Sequence, residues 1–467
     1  MRWITRDRNF YRTLFKLAIP VALQNLITFC VNFVDNIMIS SLGDAAMSGV
    51  FMGNQMQTLL QMLSGGIEGA ILILAAQYWG KKDTASIKRI ISIGLHFSLI
   101  FGTLLTLLCS LFPYTLIRLF STSDTVISAG TEYLQTVCFS YVFFCVTQAL
   151  IAAMRSIEVA RIGMNVSLLS LFVNIGLNYI LIFGKLGLPA LGIRGAAIAT
   201  VISRFTEMLV MIIYVGKHDK VLNLKFSDLL KSDRVLRKDF IRNGLPIIGG
   251  NIVWSVNMMA SSAILGRFSE SVTSAVSVAN TMNSLAYVTM NGMSAAVGII
   301  TGKTVGSGKA ELMKEYARTV QLLFLGVGLL TGSAVFLLRY SFVGLYTGIS
   351  DEAFSCAITL ITVLAVSSVG TCYQAACLAG LVKAGGDVSF VFKNDTIFVF
   401  LVVLPSAILA SFLGAPAWVV FACLKCDQIL KCFVAAVKIN SFNWIKNLTR
   451  DSSPSSVTDA LISKSKQ

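Results

Sequence analysis

Apolar runs of about twenty residues recur along the chain and are separated by short polar turns. As a helix, each run is long enough to cross the roughly 30 Å hydrocarbon core of a bilayer. Few runs alternate between apolar and polar positions, which disfavours a transmembrane β-barrel. The pattern predicts an all-α membrane protein with twelve spans, near 14–41, 47–79, 90–112, 128–152, 163–184, 193–216, 243–266, 274–301, 318–338, 354–379, 390–413 and 416–437.

The composition leaves little room for a soluble domain. Of 467 residues, 55% are hydrophobic and only 13% are charged, whereas a soluble domain of ordinary composition has roughly a quarter of its residues charged. The basic, then apolar, N-terminus resembles a signal peptide. Its apolar stretch is too long and no small-residue cleavage site follows, so we interpret it as a retained first span.

The net charge of +15 is explained by topology rather than by nucleic-acid binding. Basic residues concentrate in alternate loops, and the distribution follows the positive-inside rule over twelve spans. We therefore expect a multi-pass protein of a bacterial inner membrane with both termini cytoplasmic, surrounded by lipid and with no nucleic-acid partner. The opposite loops contain only Arg118, Lys185, Arg194, Arg267 and Arg339.

The two halves of the chain repeat one another at a shift of about 226 residues. "KLAIPVALQNLI" from Lys16 aligns with "RNGLPIIGGNIV" from Arg242, which superimposes Pro20 on Pro246. Six spans separate the copies, so both have the same orientation, as in transporters built from parallel repeats. We predict an N-terminal lobe over 1–216, a cytoplasmic linker over 217–242, a C-terminal lobe over 243–450 and a disordered cytoplasmic tail over 451–467.

Zinc or catalytic chemistry is not indicated. Ten cysteines lie in or beside apolar spans, and the chain has two histidines, too few for the usual zinc ligand sets. The turn "GSGKAE" at Gly306 lacks the strand and helix of a phosphate loop. We expect neither an enzyme nor a bound cofactor.

One polar group in the first lobe has the chemistry of a cation site. Asp35 is the only acid of the first span and lies roughly 9 Å below the outer surface. Asn174 and Asn178 share one face of the fifth span, and Thr200 reaches the depth of Asp35 from the sixth. One carboxylate with neutral oxygens suits Na⁺, with Asp35 and Asn178 as its ligands, or a proton. The alternative is a structural aspartate hydrogen-bonded to neighbouring helices.

Four further residues are candidates for binding a substrate. Glu68 follows two glycines near the middle of the second span, where it could attract a cation; the alternative is a local ion pair. Glu207 lies three residues after Arg204, so the two could neutralise each other. Met282 and Met290 belong to a methionine-rich stretch that suits a promiscuous pocket, a packed core or a lipid-facing surface.

A set of charged residues near the end of the chain indicates an ion network. Asp395 and Lys431 lie at similar depth in different spans, so we predict an ion network between these helices, joined by Lys425 and Asp427.

The order of several motifs resembles the multidrug and toxic compound extrusion (MATE) family, in particular its NorM-like bacterial branch. These motifs are "LAIPVALQNLITFCVNFVDNIMISSLG", "AAQYWGKKD", "NIGLNYILIFGKLGLPALGIRGAAIATVISR", "LVKAGGD" and "FNWIKNLTR", spread between Phe10 and Arg450.

The resemblance implies a rocking antiporter with two six-helix lobes. Such a protein expels bulky, often cationic drugs in exchange for Na⁺ or H⁺. It also implies a first-lobe cation site at Asp35 and the two asparagines. The NorM-like branch has acids in its seventh and tenth spans, but here 243–266 and 354–379 contain no Asp or Glu.

Two functions therefore remain open, both within one superfamily. The first is export of small-molecule drugs or organic cations by a monomeric antiporter. The alternative is a flippase of lipid-linked precursors, which would favour extra spans and basic cavity residues. Twelve spans and the acid in the first lobe favour the antiporter.

Overall fold

The structure is a computed structural model that describes residues 4–120, 123–219, 221–224, 228, 233–346 and 350–450. The predicted tail over 451–467 and part of the predicted linker over 217–242 lie outside these residues. The described part of the chain is helical throughout, with elements joined by short turns.

The described residues of the first half form eight helices. They are α1 (Arg8–Ser40), α2 (Asp44–Gly80), α3 (Thr84–Leu111), α4 (Pro113–Arg118), α5 (Asp124–Val137), α6 (Ser140–Ser156), α7 (Arg161–Phe183) and α8 (Gly192–Ile213), the last continued by a π-helical turn over Tyr214–His218.

The second half repeats this course. Its helices are α9 (Arg234–Leu265), α10 (Glu270–Gly306), α11 (Ala310–Val343), α12 (Asp351–Gln374), α13 (Val388–Ile397), α14 (Leu404–Phe412), α15 (Ala417–Lys425) and α16 (Asp427–Asn440), with π-helical segments over Ala375–Lys383 and Phe398–Val403.

Polar residues at the turns determine where several helices begin. Asp7 accepts a hydrogen bond from the backbone N–H of Asn9 (2.9 Å) at the start of α1. Asp83 does the same for Ser86 (3.0 Å) at the start of α3. Such caps satisfy N–H groups that the first turn of a helix leaves unpaired.

The helices agree with the predicted spans. Among the described residues, ten helices are long and apolar enough to cross a membrane, or eleven if α5 and α6, bent by 52°, form one span. The last predicted span is formed by α15 and α16, which follow one another with a break at Cys426. The all-α membrane fold is therefore confirmed, and the predicted twelve spans are consistent with it.

Glycines let the two halves meet closely at one end of the bundle. A Cβ built on Gly306 of α10 would lie 1.8 Å from the carbonyl oxygen of Gln77 in α2. A Cβ on Gly80 would lie 2.0 Å from the carbonyl oxygen of Lys303. Only glycine allows two helix backbones to approach this closely. We call this end, where α1 begins and α16 ends, the terminal face.

A segment after the last helix ties the halves together at the terminal face. We call residues 441–450 the strap. Its Leu448 N–H donates to Gln77 Oε1 (2.7 Å), and Arg450 pairs with Asp239 through two contacts of 2.7 and 2.8 Å. Trp444 of the strap is fully buried. The strap therefore reaches from the second half onto α2 and onto the start of α9.

Candidate functional site

A polar cavity of about 260 Å³ lies within the first half, between α1, α2, α5, α7 and α8. Its polar lining comes from residues spaced three or four apart, which places them on one face of each helix. Hydrophobic residues such as Val50, Leu60 and Leu134 form the packed core beside it. The polar lining residues include Asn32, Asp35, Asn36, Asn54, Gln57, Gln61, Tyr133, Ser170, Asn174, Thr200, Arg204 and Glu207.

Three of the four predicted cation residues, Asp35, Asn174 and Thr200, line this cavity, and the fourth, Asn178, contacts Asp35. Asn178 Nδ2 donates to Asp35 Oδ1 (2.5 Å) and also lies 3.1 Å from Asn174 Oδ1. Asp35 and Asn174 line the cavity. Asn178 is buried outside the lining and holds the Asp35 carboxylate by this hydrogen bond. The Asn178 Oδ1 atom is buried without a described hydrogen-bond partner. Thr200 also lines the cavity, but its hydroxyl donates to the Ala196 carbonyl (3.0 Å).

An ion pair forms another part of the same wall. Arg204 Nη1 lies 2.8 Å from Glu207 Oε2, as their spacing along α8 predicts. Glu207 is buried, and Arg204 also interacts electrostatically with Asp35. The charged side chains of the cavity are thus two carboxylates and one guanidinium, which leaves one net negative charge.

A second cavity, of about 490 Å³, lies within the second half between α9, α10, α12, α13, α15 and α16. It is larger than the first and contains more charged groups. Its polar lining residues include Asn257, Asn283, Tyr287, Asn291, Gln374, Asp395, Lys425, Asp427, Gln428 and Lys431.

Lys431 is the centre of an ion network in this cavity. Its Nζ lies 2.9 Å from Asp395 Oδ1 and 3.0 Å from Asp427 Oδ2. Gln428 Nε2 donates to Asp427 Oδ1 (2.9 Å), and Gln374 donates to Gln428. The predicted network is confirmed for Asp395, Lys431 and Asp427. Lys425 lines the same cavity but forms no ion pair with a described carboxylate.

The helices around the second cavity depart from regular α geometry where they line it. The π-helical segment Ala375–Lys383 contributes Leu378 and Ala379, and the segment Phe398–Val403 contributes Val399. The break at Cys426 separates Lys425 from Asp427. Such interruptions turn side chains and carbonyl groups into new directions, and π-bulges are frequent at functional sites.

The structure does not bring the four predicted substrate residues together. Glu207 lies in the first cavity and Met290 in the second. Met282 is buried in the hydrophobic core of the second half. Glu68 lines neither cavity; its Oε1 accepts a hydrogen bond from Ser64 (3.1 Å), and Arg155 is its nearby counter-charge. Glu68 is therefore bound locally by Ser64 and lies within electrostatic range of Arg155, without a described ion pair.

Sequence reasoning did not identify the second cavity as a site. The seventh and tenth spans contain no acids, and the acids of the cavity come instead from Asp395 of α13 and Asp427 of α16. Two charged residues at one depth were a signal for a network, but only packing shows that the network opens into a cavity.

Paired polar cavities in the two halves of a repeated helical bundle define a multi-pass membrane transporter. A profile of the MatE family matches residues 20–180 and 246–409, which together exceed half of the chain, so this chain belongs to that family.

Known relatives agree with this assignment. A protein of Bacillus subtilis called "probable multidrug resistance protein YoeA" is 26% identical over 66% of this chain and 68% of its own length. "Probable multidrug resistance protein NorM" of Thermotoga maritima is 26% identical over 72% of both chains. Among solved structures, a mutant of the Vibrio cholerae MATE transporter VcmN has the same fold, with a TM-score of 0.84 at 16% identity, over 93% of this chain and 97% of its own.

Proposed function

We propose that this transporter is a secondary active multidrug efflux antiporter. It exports amphipathic, cationic compounds in exchange for Na⁺ or H⁺ and acts as a monomer in a bacterial inner membrane. Its terminal face, with both chain termini, is cytoplasmic. The names of its relatives and the sorting of basic residues along the chain support this proposal.

The observation that carries the proposal is the position of Asp35. Its carboxylate is half-buried on the wall of a cavity with net negative charge, and Asn178 holds it in place. Carboxylate and amide oxygens are the ligands that hard cations prefer. Asp35 can therefore bind Na⁺ or accept a proton, with the amide oxygens of Asn174 and Asn178 as the neighbouring ligands.

Coupling follows from the shared cavity. Asp35 and Glu207 would attract a cationic drug to the same wall on which the coupling cation binds. Binding of the cation neutralises Asp35 and weakens the attraction for the drug, so the two ligands oppose each other. An ion gradient then drives the drug outward only if the two lobes also change conformation between loading and release.

The closed terminal face supplies one of the two conformations required. Contacts at Gly80 and Gly306 and the strap seal the halves at that face. With the terminal face cytoplasmic, this conformation would be closed to the cytoplasm, and we infer that its cavities would open to the outside. Rocking the halves apart at the glycine contacts would produce the opposite state.

The test is transport by purified protein in proteoliposomes with an imposed Na⁺ or pH gradient. Asp35→Asn keeps the shape and hydrogen bonding of the side chain but removes its titratable charge. We expect this variant to bind a cationic dye in detergent and to fail to transport it against its gradient. Glu352→Gln, at the start of α12 and outside both cavities, is the matched control and should behave as wild type.

Gradient-driven transport by Asp35→Asn at the wild-type rate would refute coupling at this residue. The two gradients, applied separately to the wild-type protein, distinguish Na⁺ from H⁺. No dye movement under either gradient would contradict antiport itself.

A further inference from the structure

An open apolar groove runs along the lateral surface of the second half, between α11, α12 and α16. Its volume is about 920 Å³. Its walls include Leu325, Leu329, Phe336, Val366 and Phe433, all of them exposed. No Asp, Glu, Lys or Arg among the described residues lines it. The groove therefore belongs to the surface that the hydrocarbon core of a bilayer covers.

Close backbone packing forms the floor of this groove. A Cβ built on Gly332 of α11 would lie 2.6 Å from the carbonyl oxygen of Ala365 in α12. A Cβ on Gly370 of α12 would lie 2.2 Å from the carbonyl oxygen of Gln428 in α16. Because the three helices meet through glycine, the floor consists of packed backbone rather than of flexible side chains.

The length of the groove corresponds to one leaflet of a bilayer. Leu325 and Leu337 of α11 both line it, and they lie roughly 18 Å apart along the helix axis. One leaflet provides about 15 Å of hydrocarbon, half of a core of about 30 Å. Polar side chains lie beyond the end nearer the terminal face, where the Tyr373 hydroxyl donates to Gln321 Oε1 (2.9 Å). The apolar length suits one extended acyl chain.

An arginine lies at the opposite end of the groove. Arg339 follows Leu337 by two residues, near the end of α11 that is distant from the terminal face. Its guanidinium carbon lies 3.6 Å from the ring centroid of Phe336, a lining residue, and its Nη1 donates to the Phe336 carbonyl. Within the described part of the chain it forms no ion pair, and its Nε has no hydrogen-bond partner. The guanidinium therefore retains donors for an anionic oxygen from outside the protein.

This combination favours a phospholipid over the other occupants of an apolar groove. An acyl chain matches the apolar walls, and a phosphate supplies the negative charge that Arg339 lacks, in a pairing that is frequently bidentate. A second copy of the chain, packed groove against groove, would bring two Arg339 side chains into a contact whose described lining has no carboxylate. A neutral apolar compound would leave the arginine without a counter-charge.

We propose that the groove is a binding site for one phospholipid with a net negative headgroup. Its acyl chain lies between α11, α12 and α16, and its phosphate pairs with Arg339. With the terminal face cytoplasmic, this lipid belongs to the outer leaflet. The groove shares no lining residue with either polar cavity, so the site does not depend on the efflux function proposed above.

The test is native mass spectrometry of the purified, delipidated full-length protein in detergent. The protein is titrated with phosphatidylglycerol, which is anionic, or with phosphatidylcholine of the same acyl chains, which is zwitterionic. Arg339→Gln should weaken binding of phosphatidylglycerol by about fivefold, the effect of one basic side chain beside an anionic lipid, and leave phosphatidylcholine within about twofold. Arg339→Lys keeps the charge and should retain the preference for phosphatidylglycerol.

A matched variant separates this site from general attraction between basic residues and anionic lipid. Arg267→Gln removes an exposed arginine from the same end of the bundle, outside the groove, and should retain the preference. A preference unchanged in Arg339→Gln, or lost equally in Arg267→Gln, would overturn the proposal. A stable dimer in place of the lipid-bound monomer would assign the groove to a second copy of the chain and overturn it as well.

Photo-cross-linking locates the acyl chain. The full-length protein is placed in phosphatidylcholine vesicles that contain a phosphatidylglycerol with a diazirine on one acyl chain, and cross-linked peptides should come from α11, α12 and α16. Ser333→Trp puts a large ring into the groove and should abolish these cross-links. Leu330→Trp adds the same ring at an exposed position of α11 outside the groove and should preserve them.

Cross-links spread evenly over the lipid-facing helices would show unspecific contact with the bilayer and contradict the site. Neither measurement uses an ion gradient. A failure of gradient-driven transport therefore leaves the lipid site intact, and loss of the lipid site leaves the antiport intact.

Discussion

At the scale of single residues, the electrostatics of the first cavity depend on one ion pair beside Asp35. Arg204 and Glu207 are both largely buried, with side-chain exposures of 15% and 6%. Within a cavity of low polarity such charges act over several ångströms. The pair therefore adjusts how strongly Asp35 attracts a cation, although neither residue has to touch that cation.

This arrangement predicts opposite effects for the two partners. Glu207→Gln removes the negative charge of the pair and should weaken cation binding at Asp35 by on the order of tenfold, while Arg204→Gln should strengthen it by a similar factor. Ion-dependent dye release from detergent-purified protein measures both. The double variant restores the original net charge and should return to near wild-type affinity. A double variant as weak as Glu207→Gln would show that Glu207 acts by contact and not by charge.

The two lysines of the second cavity should contribute differently to the stability of the fold: Lys431 should stabilise it and Lys425 should not. Lys431→Met leaves Asp395 and Asp427 without their shared counter-ion. We expect the free energy of unfolding to fall by about 3–5 kcal/mol, the usual cost of breaking a buried ion pair. Thermal unfolding in detergent measures the effect, and Lys425→Gln should unfold within a degree or two of wild type. Similar losses for both variants would contradict the separate roles.

At the scale of helices, a very close contact between the halves is made by backbone and not by side chains. Gly80 and Gly306 occupy corresponding positions in the sequence repeat, near the ends of α2 and α10. Each faces a carbonyl oxygen of the other helix at a distance that excludes a methyl group. The contact is thus symmetric, and it is sensitive to a single carbon atom at either position.

Gly306→Ala should therefore open the terminal face. A Cβ there would lie 1.8 Å from the carbonyl oxygen of Gln77, so α2 and α10 must move apart. We expect a longer distance between spin labels at Lys82 and Ser307, measured by pulsed electron resonance on a cysteine-free background. Gly326→Ala is the matched control, since a Cβ on that glycine of α11 meets no atom within 4 Å. Unchanged distances in Gly306→Ala would show that the closed face tolerates the methyl group.

The sequence predicted the existence and order of the helices well and their ends less well. Hydropathy places the seventh span at 243–266, but α9 begins at Arg234 because a charged segment over 234–242, about two and a half turns long, continues the helix beyond the apolar region. The bend between α5 and α6 was not predicted, since neither proline nor glycine marks it. There the Thr106 hydroxyl donates to the Cys138 carbonyl (2.9 Å), a contact between distant residues.

The sequence also predicted the two cavities only in part. Helix rise alone placed Asp35, Asn178 and Thr200 at one depth, and the structure brings all three to one region. Depth says nothing about the direction of a side chain around its helix. For this reason Met282 turned out to lie in the core, and the opening of the Lys431 network into a cavity was not foreseen.

At the scale of the whole molecule, the strap joins parts of the chain that are distant in sequence. Arg450 pairs with Asp239 across the terminal face, and Lys446 N–H donates to the Gly385 carbonyl (2.8 Å). Because Arg450 is exposed, the pair alone contributes modestly to stability. We expect its effect to be on how closely the two halves are held together at the terminal face.

Arg450→Gln and Asp239→Asn should therefore shift the same equilibrium. Each variant should increase opening of the terminal face, and the double variant should open no further than either single variant, because one contact is lost in all three. The label pair at Lys82 and Ser307 reports the shift. Additive opening in the double variant would mean that the two residues act through separate contacts.

Acid should weaken the ion pair between Asp387 and Lys446 of the strap only at low pH. Burial alone would raise the pKa of Asp387, but hydrogen bonds and charges from Lys438 (2.7 Å) and Lys446 (2.8 Å) outweigh it and hold the pKa below its ordinary value of 3.8. A lowered carboxyl pKa stabilises the folded state at neutral pH, and this contribution is lost as the pH falls through the folded-state pKa.

Hydrogen exchange in the strap should accordingly be insensitive to this carboxyl between about pH 5 and 8, once the intrinsic exchange rate is subtracted. Asp387→Asn should increase exchange throughout that range. Protection in the wild type that declines already near neutral pH would contradict the assignment.

The position of the strap in the chain also sets the order in which the protein can be completed during synthesis. Membrane helices leave the ribosome from the N-terminus, and domains assemble as units in that order. Gln77 and Asp239 are in place long before Leu448 and Arg450 are made. A nascent chain with every span inserted therefore still lacks the strap, and the ten residues 441–450 add the last contacts between the two halves at the terminal face.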